Sequence, residues 1–253
     1  MDLDRHDLYE RTVQSPEKVV AFLRELHGGD PRALGEDFSG TAAVARAWVR
    51  SVPGGSAVAV DLDASVLERA SGVPGVELVH GDVRTATDPA IHRVDVLFVG
   101  NFSIGEIGER ADLVRYLARS RERLHRGGLF VCDVYGGPSA LRTGAIERSF
   151  WIEGGDRVRY VWEQREVDPS TGRVVNAMHF RVEREGVVVQ SIEDAFVYRW
   201  RLWSVPELRE AMREAGFAST EVRTELHGAV APPDRATLDA AEGFVACVAA
   251  RAR

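Results

Sequence analysis

The chain is poor in lysine, in cysteine and in long apolar runs. Lys18 is the single lysine among 253 residues. With it alone, the Tyr-x-x-x-Lys proton-donor pair of a nicotinamide-dependent reductase or epimerase cannot be built. Cys132 and Cys247 lie far apart, each inside an apolar stretch. They read as buried thiols of a cytoplasmic, reducing setting, not as a disulfide framework or a zinc site. His6, His27, His92, His125 and His227 show no ligand spacing, so no metal is expected. No apolar run approaches ~18 residues, so no membrane span is expected, and the acidic, polar start MDLDRHDLYE does not read as a signal peptide. Positive charge is also in deficit. The formal net charge of -7 argues against a nucleic-acid partner, whose phosphates need neutralising.

What is present is a strong alternation of apolar strands and amphipathic helices from 32 to 134. RALGED, AVAVDLD, VELVHGD, VDVLFVG and GGLFVCDVYGG read as strands. TAAVARAWVR, SVLERA and ERADLVRYLARSRERLH read as helices. Strands apolar on both faces, separated by helices, predict a parallel sheet covered on both sides. From about 146 to 200 the period changes to two. RVRYVWEQREV, RVVNAMHFRVERE and VVVQSIEDAFVYRWRL predict an antiparallel meander of three strands. SVPE at 204–207 predicts a capping box for the helix that follows, and STEVRTEL and GFVACVAAR close the chain as two strands. The expected organisation is an N-terminal arm and helix over 1–30, a Rossmann-like α/β domain over 31–145 and 201–253, and an antiparallel insertion over 146–200.

Ligands of open α/β sheets bind at the carboxyl ends of the strands. Those ends carry Glu36, Asp37, Phe38, Ser39, Gly40 and Thr41; Asp61, Leu62 and Asp63; Asp82 and Val83; Asn101 and Phe102; and Asp133 with Tyr135. Asp61 follows Gly40 by 21 residues, the offset of a ribose-binding acid. Asp82 can accept from an adenine amine, and Glu36 or Asp37 suits an ammonium group. The glycine loop GEDFSGTA has one central glycine, with Phe38 and Ala42 where a dinucleotide loop has glycine. That ligand has a ribose, an adenine and an amino-acid end but no pyrophosphate, which describes S-adenosylmethionine better than NAD.

The chain resembles a class I S-adenosylmethionine-dependent methyltransferase. LYERTVQSPE, EDFSGTA, WVRSVP, VDLD, NFSIGE, GGLFVCDVYGG, YVWEQ and YRWRLWSVPEL, in that order, resemble a bacterial subgroup of small-molecule methyltransferases, in which Cys usually stands where this chain has Ser39. The resemblance implies a seven-stranded Rossmann-like sheet with an antiparallel β lid inserted after strand 5. It implies a cofactor site of Glu36, Phe38, Gly40 and Thr41 at the methionine end, Asp61 and Leu62 on the ribose and adenine, Asp82 and Val83 at the adenine edge, and Asn101 and Phe102 near the methyl group. Tyr9 and Gln14 from the arm would close over the methionine carboxylate.

The acceptor is expected to be a small molecule taking the methyl on nitrogen or oxygen. Trp162 and Trp203 are expected to wall it, and Tyr135 and His179 are the candidate bases. Strand 4 reads NFSI where a nucleic-acid base methyltransferase has Asn-Pro-Pro-aromatic, which again excludes nucleic acid. A homodimer is compatible with the sequence. A non-catalytic cofactor-binding or regulatory protein stays open as a different class.

Overall fold

The computed structural model describes residues 3–88, 91, 93–152, 154–223 and 243–253. Strands β1 (Ala33–Asp37), β2 (Ser56–Asp61), β3 (Val76–His80), β4 (Val94–Val99) and β5 (Leu124–Gly136) are separated by helices α3 (Ala43–Ser51), α4 (Ala64–Leu67) and α5 (Arg110–Glu122). Strands β10 (Ser219–Arg223) and β11 (Phe244–Arg251) complete a seven-stranded sheet of order β10-β11-β5-β4-β1-β2-β3. β1 to β5 pair in parallel, and β10 with β11 antiparallel. The chain therefore reverses its direction of travel across the sheet at β1 and β4, which is where such folds place a ligand.

Alternation builds the two cores. On β2, Val58 and Val60 enter one apolar cluster and Ala57 and Ala59 the other. On β5, Phe130 and Cys132 go to the first, Leu129 and Val131 to the second. Helix α2 (Pro16–His27) and α3 cover the second cluster through Leu23 and Trp48, while α5 and α6 (Val205–Glu214) cover the first through Leu117 and Leu208. The capping box on α6 forms as expected, Ser204 and Glu207 bonding each other's backbone N–H groups.

Four strands, β6 (Gly144–Trp151), β7 (Arg157–Asp168), β8 (Arg173–Arg184) and β9 (Val187–Arg201), make the second sheet in simple antiparallel order. The sequence predicted three. β6 escapes because it is an edge strand whose alternate residues are only half-buried, with Glu147 and Arg148 breaking its apolar rhythm. Helix α1 (Arg5–Thr12) is capped by Asp4, which accepts from the amides of His6 and Asp7. Leu8 of α1 packs with Val158, Phe180 and Val182 in a small separate core.

Two compact units result. Among the described residues, 3–14, 135–202 and 243–244 form one, and 15–134, 203–223 and 245–253 form the other. The predicted N-terminal region divides at this boundary, α1 joining the four-stranded unit and α2 the seven-stranded one.

Candidate functional site

In the seven-stranded unit the β1–α3 loop has a left-handed backbone at three alternate places: Phe38 (φ 54°), Gly40 (φ 53°) and Ala42 (φ 54°). The two non-glycine places thus keep the conformation that glycine would adopt freely, at roughly 1–2 kcal/mol each. The tertiary frame holds them. Phe38 sets its ring edge-on to Tyr116 at 6.2 Å, the Ser39 amide donates to the carbonyl of Val60, and the Gly40 amide donates to Asp61 Oδ2 at 2.7 Å. A Cβ built on Gly40 would meet nothing within 4 Å, so open space lies beside the glycine. Thr41 is buried.

Glu36 and Asp37 point to opposite faces of β1 and have different tasks. Asp37 is fully committed inside the protein. Arg123 donates to both its oxygens at 2.7 and 2.9 Å, and the Tyr116 hydroxyl adds a third bond at 2.8 Å. Glu36 faces the other way. Its Oε2 accepts from the Ala45 amide at 2.7 Å, under the N-terminus of α3. Burial pushes its pKa up to about 8, against the pull of the Ala45 and Val44 amides and of Arg46.

Asp61 still has acceptor capacity: one oxygen serves Gly40 and the other the Asp63 amide. Leu62 beside it is 63% exposed, an apolar side chain standing in solvent at a strand end. Asp82 differs from the expectation, because both its oxygens already bond the Arg84 guanidinium; that bond holds its carboxyl below the usual range. The side chain of Val83 belongs to the core.

After β4, Asn101 and Phe102 are both left-handed, at φ 56° and 63°. The buried carboxylate of Asp133 on β5 accepts from their two amides at 3.1 and 2.7 Å. Burial pushes the Asp133 pKa up to about 6. Asp133 was visible in the sequence only as another acid at a strand end; its part in fixing this turn comes from the β4–β5 pairing.

In the four-stranded unit, pairing sorts the candidates onto opposite faces. Trp162 stands opposite Met178, Gln164 opposite Asn176, and Asn176 opposite Tyr198, all on one face. Val161 stands opposite His179 on the other. On the first face the ring of Trp162 stacks with Tyr198 at 6.1 Å, and Tyr198 with Trp200 at 4.4 Å. Tyr135 sets its ring edge-on to Trp162 at 6.4 Å. Its hydroxyl bonds Gln164 and Asn176, and burial pushes its pKa up to about 12. Such a phenol keeps its proton at neutral pH.

His179, the other candidate base, lies among acids. Its Nδ1 lies 3.0 Å from the Asp194 amide and 3.1 Å from Glu193 Oε2, and its Nε2 faces Glu163 at 3.3 Å. Both nitrogens are engaged, on the face away from the aromatic row. The ring braces a bulge in β9, where Asp194 is left-handed. Tyr9 of α1 packs edge-on to Phe196 at 5.3 Å, and the buried side-chain oxygen of Gln14 meets no partner among the described residues. Trp203, expected to wall a substrate, belongs to the core of the other unit: it is 2% exposed and its indole N–H donates to the carbonyl of Ile107.

No protein-family model matches the chain, and no curated protein matches it. Solved structures do. DesVI from Streptomyces venezuelae aligns with a TM-score of 0.72 at 18% identity, over 97% of this chain and 99% of that one. CalS10, an amino pentose methyltransferase from Micromonospora echinaspora solved with S-adenosylmethionine bound, gives 0.68 at 18% identity over 98% of each chain. The CcbJ methyltransferase from Streptomyces caelestis gives 0.66 at 20% identity, over 94% of this chain and 95% of that one. The chain has the class I methyltransferase fold.

Proposed function

We propose that this protein is an S-adenosylmethionine-dependent methyltransferase acting on a nitrogen or oxygen of a small molecule. The observation that carries the proposal is the β1–α3 loop. The loop has three left-handed positions with open space beside Gly40, Asp61 bonded to the Gly40 amide, and the buried carboxyl of Glu36 on β1 held by backbone amides of α3. The site fits a ligand with an ammonium end and a ribose. Glu36 would hold the ammonium, Asp61 the ribose hydroxyls, Leu62 would lie on the adenine, and Asn101 and Phe102 would line the floor near the methyl group. Asp82 would frame the adenine edge only by sharing with Arg84. The full-length likeness to proteins that include CalS10 and CcbJ supports the same reading.

The sulfonium of S-adenosylmethionine supplies the leaving group. The chain's own part is to bind, align and desolvate. The acceptor contacts are assigned to the aromatic row of Trp162, Tyr198 and Trp200, whose faces suit a cationic or amphipathic molecule. Tyr135 and His179 stay the candidate bases; a nucleophile that arrives unprotonated, as an amine can, needs neither.

Calorimetry with S-adenosylmethionine, S-adenosylhomocysteine and NAD tests the cofactor. Binding of the first two and not NAD is expected, and the reverse would sink the proposal. Labelled methyl transfer to a panel of amines and alcohols tests the activity; binding without turnover on any of them would leave a non-catalytic cofactor-binding protein.

A further inference from the structure

Outside the strand-end site, the described residues include a largely buried hydrogen-bond chain whose direction can be read residue by residue. Gln164 Nε2 lies 2.6 Å from the carbonyl of Arg142, 2.8 Å from that of Ala140 and 3.5 Å from that of Ser139. Three acceptors around one atom require that atom to be the amide nitrogen. Gln164 Oε1 therefore faces the Tyr135 hydroxyl at 3.2 Å. A carbonyl only accepts, so the tyrosine donates. The tyrosine oxygen then accepts from Asn176 Nδ2 at 3.0 Å. Asn176 Oδ1 is left at the end of the chain. It is buried and meets no donor among the described residues.

An amide in the middle of VVNAMHF is costly there unless something uses it. A strand disfavours Asn, and a buried acceptor left without a donor destabilises the fold. Asn176 also stands directly opposite Tyr198 and shares its face with Trp162 and Trp200. A donor reaching Asn176 would therefore belong to a body lying against aromatic rings.

We propose that Asn176 Oδ1 is the recognition point for an N–H or O–H donor on a saturated-ring acceptor, an amine in the first place, whose C–H surface lies on the Trp162–Tyr198–Trp200 row. The proposal deepens the acceptor reading above and rests on it. Asn176 recognises; it moves no proton and is not a base.

The test uses the full-length protein and a matched pair of probes, piperidinium and N,N-dimethylpiperidinium. The two share ring and charge and differ in N–H donors. Tryptophan fluorescence reads their binding. The native protein is expected to bind piperidinium about tenfold tighter, the worth of one good hydrogen bond. Equal affinity for the two probes overturns the proposal. Asn176→Leu is expected to bind both probes equally. Its unfolding without ligand checks only that the variant is folded, since the substitution removes the unpaired carbonyl and also the bond from Asn176 Nδ2 to Tyr135. A folded Asn176→Leu that keeps the native preference for piperidinium would overturn the assignment. The native protein's probe preference stands as a test even if the variant does not fold. Failure of the cofactor reading shows separately, as absence of S-adenosylhomocysteine binding with the probe preference intact.

Discussion

Binding of S-adenosylhomocysteine is expected to tighten about fiftyfold between pH 6 and pH 8, because Glu36 must lose its proton to meet the ligand's ammonium. Its carboxyl is buried and holds its proton up to about pH 8. Below that value the ionised fraction falls tenfold per pH unit, from about one half at pH 8 to about one hundredth at pH 6. The direction follows from which form is needed. Burial favours the neutral acid, the ammonium needs the carboxylate, and so affinity rises with pH. Titration calorimetry in two buffers of different ionisation enthalpy should count close to one proton released at pH 6 to 7. Glu36→Gln should abolish both the slope and the proton release, and bind more weakly at pH 8. An affinity that is flat from pH 6 to 8 in the native protein, with no proton released, would refute the assignment of Glu36 to the ammonium.

The same carboxyl sets a slope in stability. Its folded-state pKa lies above the unfolded value, so the native state holds the proton longer. Stability without ligand should therefore fall by about 3 kcal/mol as the pH rises from 4.5 to 7, and chemical denaturation of Glu36→Gln should show most of that slope removed. Arg123→Leu would strand the buried Asp37 carboxylate. A loss of about 3–5 kcal/mol is expected, seen as a fall of roughly 10 °C in Tm; a fall of only a degree or two would mean that water reaches Asp37. Gly40→Ala and Gly28→Ala both force a methyl onto a left-handed residue with free space around it, so each should cost about 1 kcal/mol. Only Gly40→Ala should weaken S-adenosylhomocysteine binding more than tenfold, and equal binding by the two variants would remove the loop from the cofactor site. Trp203→Ala should cost about 3–5 kcal/mol as a core truncation. Trp162→Ala should leave cofactor affinity within about twofold and raise the acceptor KM; the opposite assignment of the two tryptophans would appear as the reverse pattern.

Much of this protein was legible in the sequence because it depends on short-range pattern. Strand, helix and period switch follow from local alternation, and the acids at the strand ends follow from where each apolar run stops. The one strand missed, β6, has little apolar contrast to read. Phe38 and Ala42 looked like places where glycine had become unnecessary. The backbone there is nevertheless left-handed, because packing and the bond from Gly40 to Asp61 impose a shape that composition does not reveal.

The sequence by itself determined the α/β class, the strand-end acids and the cofactor chemistry they suit, since each rests on residues near one another along the chain. Tertiary structure alone decided which of those groups are free. Asp37 is taken up by Arg123 and Glu36 is not, because successive residues on a strand face opposite ways and Arg123 lies on only one of them. Trp203 joined a core, His179 turned away from the aromatic row, and Asn176 came to end a hydrogen-bond chain with a bare acceptor. Each of these depends on a partner from a different strand or helix, and pairing register fixes such partners across distances that local pattern does not span.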